Sequence, residues 1–178
     1  MCGIVGLYAK SDRIRQTLGQ HVGAMLEQMG ERGPDSAGVA FYSDGLATSK
    51  VTVQHDSADQ IESLAQLVKE THPAALLKHR GTHLVIESSS AASEMEQWVR
   101  DMFPDVRVMS AGERIEIYKE KGHPSEFVSN YALGEVTGSH ALAHTRMATE
   151  SAITTSHSHP FSTGLDLCLV HNLSLIHI

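Results

Sequence analysis

Apolar residues alternate along the chain between short continuous runs and helix-like periods, which predicts a fold that mixes strands with helices. The run over residues 4–9 predicts a buried strand, because it is too short for a helix. Apolar side chains then recur at helical spacing up to Gly30, and they predict an amphipathic helix over about residues 15–29. The chain therefore begins with a strand and a helix that packs against a sheet.

The following pattern predicts a hairpin and then a compact α/β segment. Residues 39–42 and 51–53 flank Asp44-Gly45, which predicts two antiparallel strands joined as a hairpin. Ser57 and Gln60 form a capping box that begins a helix to about Thr71. The next apolar segments predict a strand at 84–86, a helix over 95–103 and strands at 106–109 and 115–118. Residues of about 55–110 are thus predicted to form a small α/β insertion.

The last third of the chain continues the alternation. A short helix is predicted around residues 127–131, a strand over 139–144 and a dense apolar strand over 165–170, in which Cys168 is predicted to be a core residue. The fold class is therefore predicted as α+β, in one domain that spans residues 2–178.

Composition excludes several classes of function. The 14 Lys and Arg residues are outnumbered by 21 Asp and Glu, and the basic residues form no patch, which argues against nucleic-acid binding. The chain lacks both a basic leader and the ~18 consecutive apolar residues of a membrane span. We therefore expect a cytoplasmic protein without membrane association, in which Cys2 and Cys168 are free thiols.

Cys2 is the first residue whose side chain could take part in catalysis. Removal of Met1 would leave a cysteine that carries both a thiol and a free α-amine. The amine titrates near ~7.7–8.0 and the thiol near ~8.5, so the amine can take the thiol proton at neutral pH. A nucleophile and its base are then present in one residue. The alternative interpretation is a small buried side chain at the start of a strand.

Three further segments stand at predicted strand ends or turns. The loop over residues 32–38 is rich in glycine and contains a proline, which fixes an unusual backbone path or only a tight turn. Arg146 follows a strand, where its guanidinium is suited to binding a carboxylate or is simply exposed. Asn172 follows the last strand, where its amide can donate to an oxyanion or form a turn.

Together these segments resemble one family. The sequence is similar to the class II glutamine amidotransferases, which are N-terminal nucleophile hydrolases, in Cys2-Gly3-Ile4-Val5-Gly6, Arg32-Gly33-Pro34-Asp35-Ser36-Ala37-Gly38, His144-Thr145-Arg146 and His171-Asn172. Residues 144–151 and His159-Pro160-Phe161 are most similar to the stand-alone amidotransferase subunits of the glutamate synthase and N-methylglutamate synthase group. The resemblance implies a four-layer αββα sandwich.

The resemblance also implies a mechanism. The Cys2 thiolate would attack the side-chain amide of L-glutamine and form a thioester, with Asn172 as oxyanion donor. Arg146 would hold the substrate carboxylate with Thr149 nearby, and Arg32 would lie in the loop that frames the nucleophile. No cofactor and no metal are expected. A partner synthase subunit would accept the ammonia, because the chain contains no synthase domain.

The sequence departs from the family pattern after Asn172. The family has a glycine there, whose N–H is a second oxyanion donor, whereas this chain has Leu173 and ends at Ile178. The residue that binds the substrate α-amine in the family has no counterpart here. We therefore expect a truncated chain and an αββα sandwich that is incomplete at its C-terminus.

Two other functions remain open from the residues. The 12 histidines include the pairs His140 with His144 and His157 with His159, whose spacings suggest a metal-binding protein. On a strand, residues four apart lie about 13 Å apart, which is too far for one ion. His157 and His159 are predicted to lie in a loop with solvated imidazoles. The second alternative is a non-catalytic subunit that only docks to a synthase.

Overall fold

The computed structural model describes residues 2–43, 48–148 and 152–172. Its strands are β1 (Gly3–Tyr8), β2 (Ser36–Tyr42), β3 (Ser49–Gln54), β4 (Leu76–Arg80), β5 (His83–Ser88), β6 (Arg107–Gly112), β7 (Ile115–Lys121), β8 (His140–Arg146), β9 (Phe161–Gly164) and β10 (Leu167–Leu169). Its helices are α1 (Asp12–Gln16), α2 (Leu18–Gln28), α3 (Ala58–Thr71), α4 (Ala92–Met102) and α5 (Pro124–Asn130), with 3-10 turns at Gly30–Arg32 and Leu133–Glu135.

The strands form two antiparallel sheets and one separate hairpin. The first sheet has the order β1-β8-β2-β7, the second has the order β4-β5-β3-β6, and β9 pairs with β10. The predicted α+β class is confirmed. The segment 55–110 supplies α3, β4, β5, α4 and most of β6, so its strands lie in the same sheet as β3.

Three apolar clusters hold these layers together. Helices α2 and α5 pack on the first sheet, where Leu18 and Leu26 meet Phe41. Helices α3 and α4 pack on the second sheet through a separate cluster. The sheets face each other through a smaller cluster, which consists of Ala40, Met109, Ile115 and Ile117. The order is therefore helices, sheet, sheet, helices. Within the described ranges, no helix is both long and apolar enough to cross a membrane.

Most of the predicted helices and strands are confirmed, with small differences at their ends. The helix predicted over 15–29 is present as α1 and α2, which are separated at Thr17. Helix α3 begins after Ser57, but the Ser57 hydroxyl makes no capping hydrogen bond. The main-chain N–H of Ser57 instead donates to Nδ1 of His55 at 2.9 Å. The capping-box prediction therefore placed the start of the helix correctly, although the predicted capping hydrogen bond of the Ser57 hydroxyl does not form.

The predicted hairpin between residues 39–42 and 51–53 is wrong. These residues lie in β2 and β3, which belong to different sheets. Each strand already has two partners, since β2 lies between β8 and β7 and β3 lies between β5 and β6. The Asp44-Gly45 turn lies outside the described residues.

The apolar strand predicted over 165–170 is present only as the shorter β10, Leu167–Leu169. Leu165 and Asp166 form the turn between β9 and β10, where Asp166 has a φ of 56°. The Asp166 carboxylate accepts hydrogen bonds from the main-chain N–H groups of residues 113–115 at 2.8–3.1 Å, which ties the hairpin to the turn between β6 and β7. Cys168 is half-buried rather than a core residue, and the Tyr42 hydroxyl donates to its sulfur at 3.3 Å. The hairpin thus lies on the surface.

Candidate functional site

Three of the five site residues predicted from the sequence lie near the paired ends of β1 and β8. Cys2 immediately precedes β1, and Arg146 ends β8, which pairs with β1 so that Gly3 lies opposite Thr145. The Cys2 sulfur lies 4.0 Å from the carbonyl oxygen of Met147. The amide Nδ2 of Asn172 donates to the carbonyl oxygen of Cys2 at 3.3 Å. The pairing of β1 with β8 thus brings Cys2 to the end of β8, and a side-chain hydrogen bond brings Asn172 to Cys2.

The glycine-rich loop lies against the backbone that carries Arg146. A Cβ atom on Gly33 would lie 2.5 Å from the carbonyl carbon of Thr145, so only glycine permits this approach. The main-chain N–H of Asp35 donates to the carbonyl of Arg146 at 3.0 Å, and the Asp35 carboxylate accepts from the N–H of Ala148 at 2.7 Å. The loop therefore fixes the path of the chain on both sides of Arg146.

The remaining two predicted residues are Arg32 and Thr149, of which the structure describes only Arg32. Arg32 ends the 3-10 turn and is exposed, while the loop that follows it reaches the strand end through Gly33. Thr149 lies outside the described residues. The loop that contains Arg32 therefore contacts the end of β8 through Gly33, and the role of the Arg32 side chain stays a prediction.

The half-buried guanidinium of Arg146 is oriented by the loop over residues 152–160. Its Nη1 donates to the carbonyl oxygen of His157 at 3.2 Å and to that of Ala152 at 3.5 Å. The ammonium of Lys119, on β7, holds the same loop by donating to the carbonyl of Ser158 at 2.9 Å. Burial lowers the pKa of Lys119 to about 8. Main-chain carbonyls thus position both cations.

Three histidines pack together beneath this loop. The ring centroids of His144 and His159 are 4.2 Å apart, and those of His159 and His171 are 4.4 Å apart. Burial lowers the pKa of His144 to about 4 and that of His159 to about 3, so both rings are neutral at pH 7. The prediction of solvated imidazoles is right for the exposed His157 and wrong for His159, which is buried.

The histidine pairs proposed as metal ligands form no recognisable metal site in the part of the chain that is described. No group of three or more His, Cys, Asp or Glu side chains there has an arrangement that could hold a metal ion. His140 instead stacks on Tyr42, with ring centroids 4.1 Å apart, and His144 donates to a carbonyl. The contacts of these histidines are with aromatic rings, main-chain groups and the hydroxyls of Ser139 and Thr154.

Sequence reasoning assigned no role to Asp35 or Lys119, and it considered His159 only as a metal ligand or a solvated loop residue. Asp35 lies inside the motif over residues 32–38, and His159 begins the segment His159-Pro160-Phe161 that resembles the family. Both residues therefore carried a sequence signal, although residue type alone did not identify their contacts. Lys119 had none, because a lysine in an alternating strand is ordinarily assigned to a solvent-facing position. Its ammonium is buried because Ser158 and the Phe161 ring cover it.

Comparison with known proteins gives two relatives that are similar over nearly the whole chain. The Rhizobium meliloti protein named glutamine amidotransferase-like protein GlxB is 46% identical over 184 aligned residues, which cover 98% of this chain and 59% of the relative. A putative glutamine amidotransferase of Methanothermobacter thermautotrophicus is 28% identical over 97% of this chain and 61% of its own length. No family model matches. The chain spans about three fifths of the length of these relatives. The chain is thus similar, over nearly its whole length, to two proteins whose names describe them as glutamine amidotransferase-like and as a putative glutamine amidotransferase.

Proposed function

We propose that residues 2–178 form a class II glutamine amidotransferase domain of the N-terminal nucleophile hydrolase type, which hydrolyses L-glutamine through Cys2. The observation that carries the proposal is that Cys2 and Arg146 lie at the paired ends of β1 and β8, with the Asn172 amide hydrogen-bonded to the Cys2 carbonyl. The two relatives named as glutamine amidotransferases support it independently. The stacked helix-sheet-sheet-helix order is compatible with the αββα sandwich that the resemblance implies.

The first chemical step follows from the position of Cys2. After removal of Met1, the α-amine takes the thiol proton, and the thiolate attacks the side-chain amide carbon of glutamine. The C–S bond forms as the carbonyl becomes a tetrahedral oxyanion. Collapse of this intermediate breaks the C–N bond, and the ammonium proton returns to the leaving nitrogen, so ammonia departs and a thioester remains. Water then attacks the thioester, and glutamate leaves as the thiol is restored.

The neighbouring groups supply binding and charge stabilisation. Asn172 Nδ2 is within hydrogen-bond reach of Cys2 and donates to the oxyanion, a contact worth about 2.7–4 kcal/mol where such donors are removed. Arg146 binds the α-carboxylate of glutamine through its planar guanidinium. Thr149 and Arg32 complete the substrate site in this proposal. The reaction needs no cofactor or metal, and a partner synthase subunit accepts the ammonia.

Covalent labelling tests the proposal. Incubation with an electrophilic glutamine analogue is expected to add one label, which peptide sequencing assigns to Cys2 in a chain that lacks Met1. The matched variants are Cys2→Ala, which removes the nucleophilic atom and should abolish labelling and glutaminase activity, and Cys168→Ala, which should leave both intact because the Cys168 sulfur is bound by the Tyr42 hydroxyl, away from Cys2. Glutamine hydrolysis that survives in Cys2→Ala would overturn the proposal. An unlabelled, inactive chain that still binds a synthase would favour the docking alternative.

A further inference from the structure

The short segment that carries Asn172 is held mainly by side chains. Residues 170–172 follow β10 and lie outside the strands, so no sheet ladder fixes them. Asn172 nevertheless has to stay close to Cys2 if its amide is to meet an oxyanion formed there. The amide already donates to the Cys2 carbonyl, which is one point of attachment. A second attachment is needed to fix the direction of the segment.

His144 supplies that second attachment. Its Nε2 lies 3.1 Å from the carbonyl oxygen of His171, the residue directly before Asn172. A carbonyl oxygen can only accept a hydrogen bond, so Nε2 must carry the proton. His144 lies in β8, between β1 and β2, and only 1% of its surface is exposed. The donor is therefore part of the rigid sheet, next to the strand that begins at Gly3.

The surroundings of His144 keep this donor neutral and dry. His159 packs against its ring, and His171 packs edge-on against His159. Both nitrogens of His159 and the Nδ1 atoms of the other two rings are buried without a partner among the described residues. The cations that face this cluster are Arg146 on β8 and Lys119 on β7, and both oppose an added proton. His144 is therefore a neutral ring whose proton lies on Nε2.

We propose that His144 is a positioning residue, which holds Asn172 beside Cys2 by donating its Nε2 proton to the carbonyl of His171. This role deepens the proposed amidotransferase function and rests on it. His144 touches neither the nucleophile nor the substrate carboxylate in this arrangement. Its loss should therefore impair the stabilisation of the oxyanion and leave substrate binding at Arg146 largely unchanged.

Two substitutions separate the donor from the bulk of the ring. His144→Leu removes the donor but keeps an apolar side chain, whereas His144→Gln retains an N–H that can reach a carbonyl. A misplacement of about 1 Å near reacting atoms costs on the order of 10²-fold in rate, so we expect this loss in kcat for His144→Leu with little change in KM. His144→Gln should recover most of the rate. His140→Leu, four residues earlier in β8, is the matched control and should retain activity.

The kcat values of the folded variants and one measurement on the unmodified chain test the proposal. Normal kcat in His144→Leu, or an equal loss in folded His144→Gln, would overturn the proposal. If His144→Leu does not fold, nitrogen NMR of the histidine rings still decides, because the proposal requires the Nε2–H tautomer of His144 at pH 7. An Nδ1–H tautomer would overturn it. Failure of the proposed function gives a different result. In that case the unmodified chain is not labelled at Cys2, although His144 is present as the Nε2–H tautomer.

Discussion

The close approach of the loop over residues 152–160 to β2 can be tested at Gly38. A Cβ atom on Gly38 would lie 2.0 Å from the carbonyl oxygen of His159 and 2.7 Å from the Cβ of Lys119. Ordinary contact between such atoms begins near 3.5 Å, so Gly38→Ala must displace the loop by roughly 1.5 Å. Both groups that would have to move, the His159 backbone and the Lys119 side chain, belong to the support of the site.

The displacement has consequences for stability and for activity. The hydrogen bond from Arg146 to His157 is 3.2 Å long and that from Lys119 to Ser158 is 2.9 Å long, and neither survives a shift of that size. Overpacking together with two lost hydrogen bonds should lower the free energy of unfolding by about 2–4 kcal/mol. A guanidinium displaced by about 1 Å should lower kcat/KM for glutamine on the order of 10²-fold.

Urea denaturation and a glutaminase assay measure the two effects. Gly6→Ala, on β1 of the same sheet, is the matched control, because its new Cβ would lie 4.0 Å from the nearest atom, Cδ1 of Leu142. We expect that control to change the free energy of unfolding by less than about 0.5 kcal/mol. A Gly38→Ala protein with the stability and activity of the Gly6→Ala protein would refute the close packing of the loop on β2.

Two further predictions concern pH and the surface hairpin. Burial lowers the pKa of His83 and His159 to about 3 and that of His144 to about 4. As pH falls below about 6.5, the unfolded chain therefore binds protons that the folded chain does not bind. The free energy of unfolding should then fall by up to about 1.4 kcal/mol per pH unit for each of these histidines. Urea denaturation at pH 7 and pH 5 checks this, His83→Gln should reduce the slope, and a pH-independent midpoint would contradict it. Asp166→Asn removes one carboxylate oxygen that accepts hydrogen bonds from the turn at 113–115, and it should lower the free energy of unfolding by about 1 kcal/mol. Hydrogen exchange at the amide of Glu113 should become faster, and an unchanged exchange rate there would show that the turn does not depend on this contact.

The helices and most strands were predictable because their signals are local. The apolar period of α2 and the short run that forms β1 depend on residues that are close in sequence. The pairing of β2 with β7 and β8 depends instead on segments about 80–105 residues away, which no local turn signal specifies. This is why the Asp44-Gly45 signal predicted a hairpin that the two sheets do not contain.

Buried charge was the second feature that the sequence did not reveal. Lys50 and Glu116 lie in strands of different sheets, and their side chains form a buried ion pair with 2.6 Å between Nζ and Oε1. Alternation within each strand would assign both residues to a solvent-facing side. The charge becomes compatible with burial only when the second sheet supplies the partner, and that information exists only in the assembled fold.

The candidate site shows the same limit in a form that matters for function. Each of the three residues Cys2, Arg146 and Asn172 had an ordinary alternative interpretation, and only the order of the motifs favoured one common site. The atoms that hold these residues in place are largely main-chain carbonyl oxygens. Carbonyl groups are common to every residue and leave no sequence signal.

The site is therefore only as well ordered as the loop and hairpin that carry these carbonyls. The hairpin in that segment is poorly buried, since three of its leucines, Leu165, Leu167 and Leu169, are each about half exposed. The attachments of the segment include the contacts of Asp166, His144, Lys119 and Arg146, together with the hydrogen bonds from Thr155 to Glu120 and from Asn172 to Cys2. Local opening of such a segment costs less free energy than global unfolding. The fraction of molecules with an assembled site is then set by these few hydrogen bonds, because the two sheets can remain folded while Asn172 leaves Cys2.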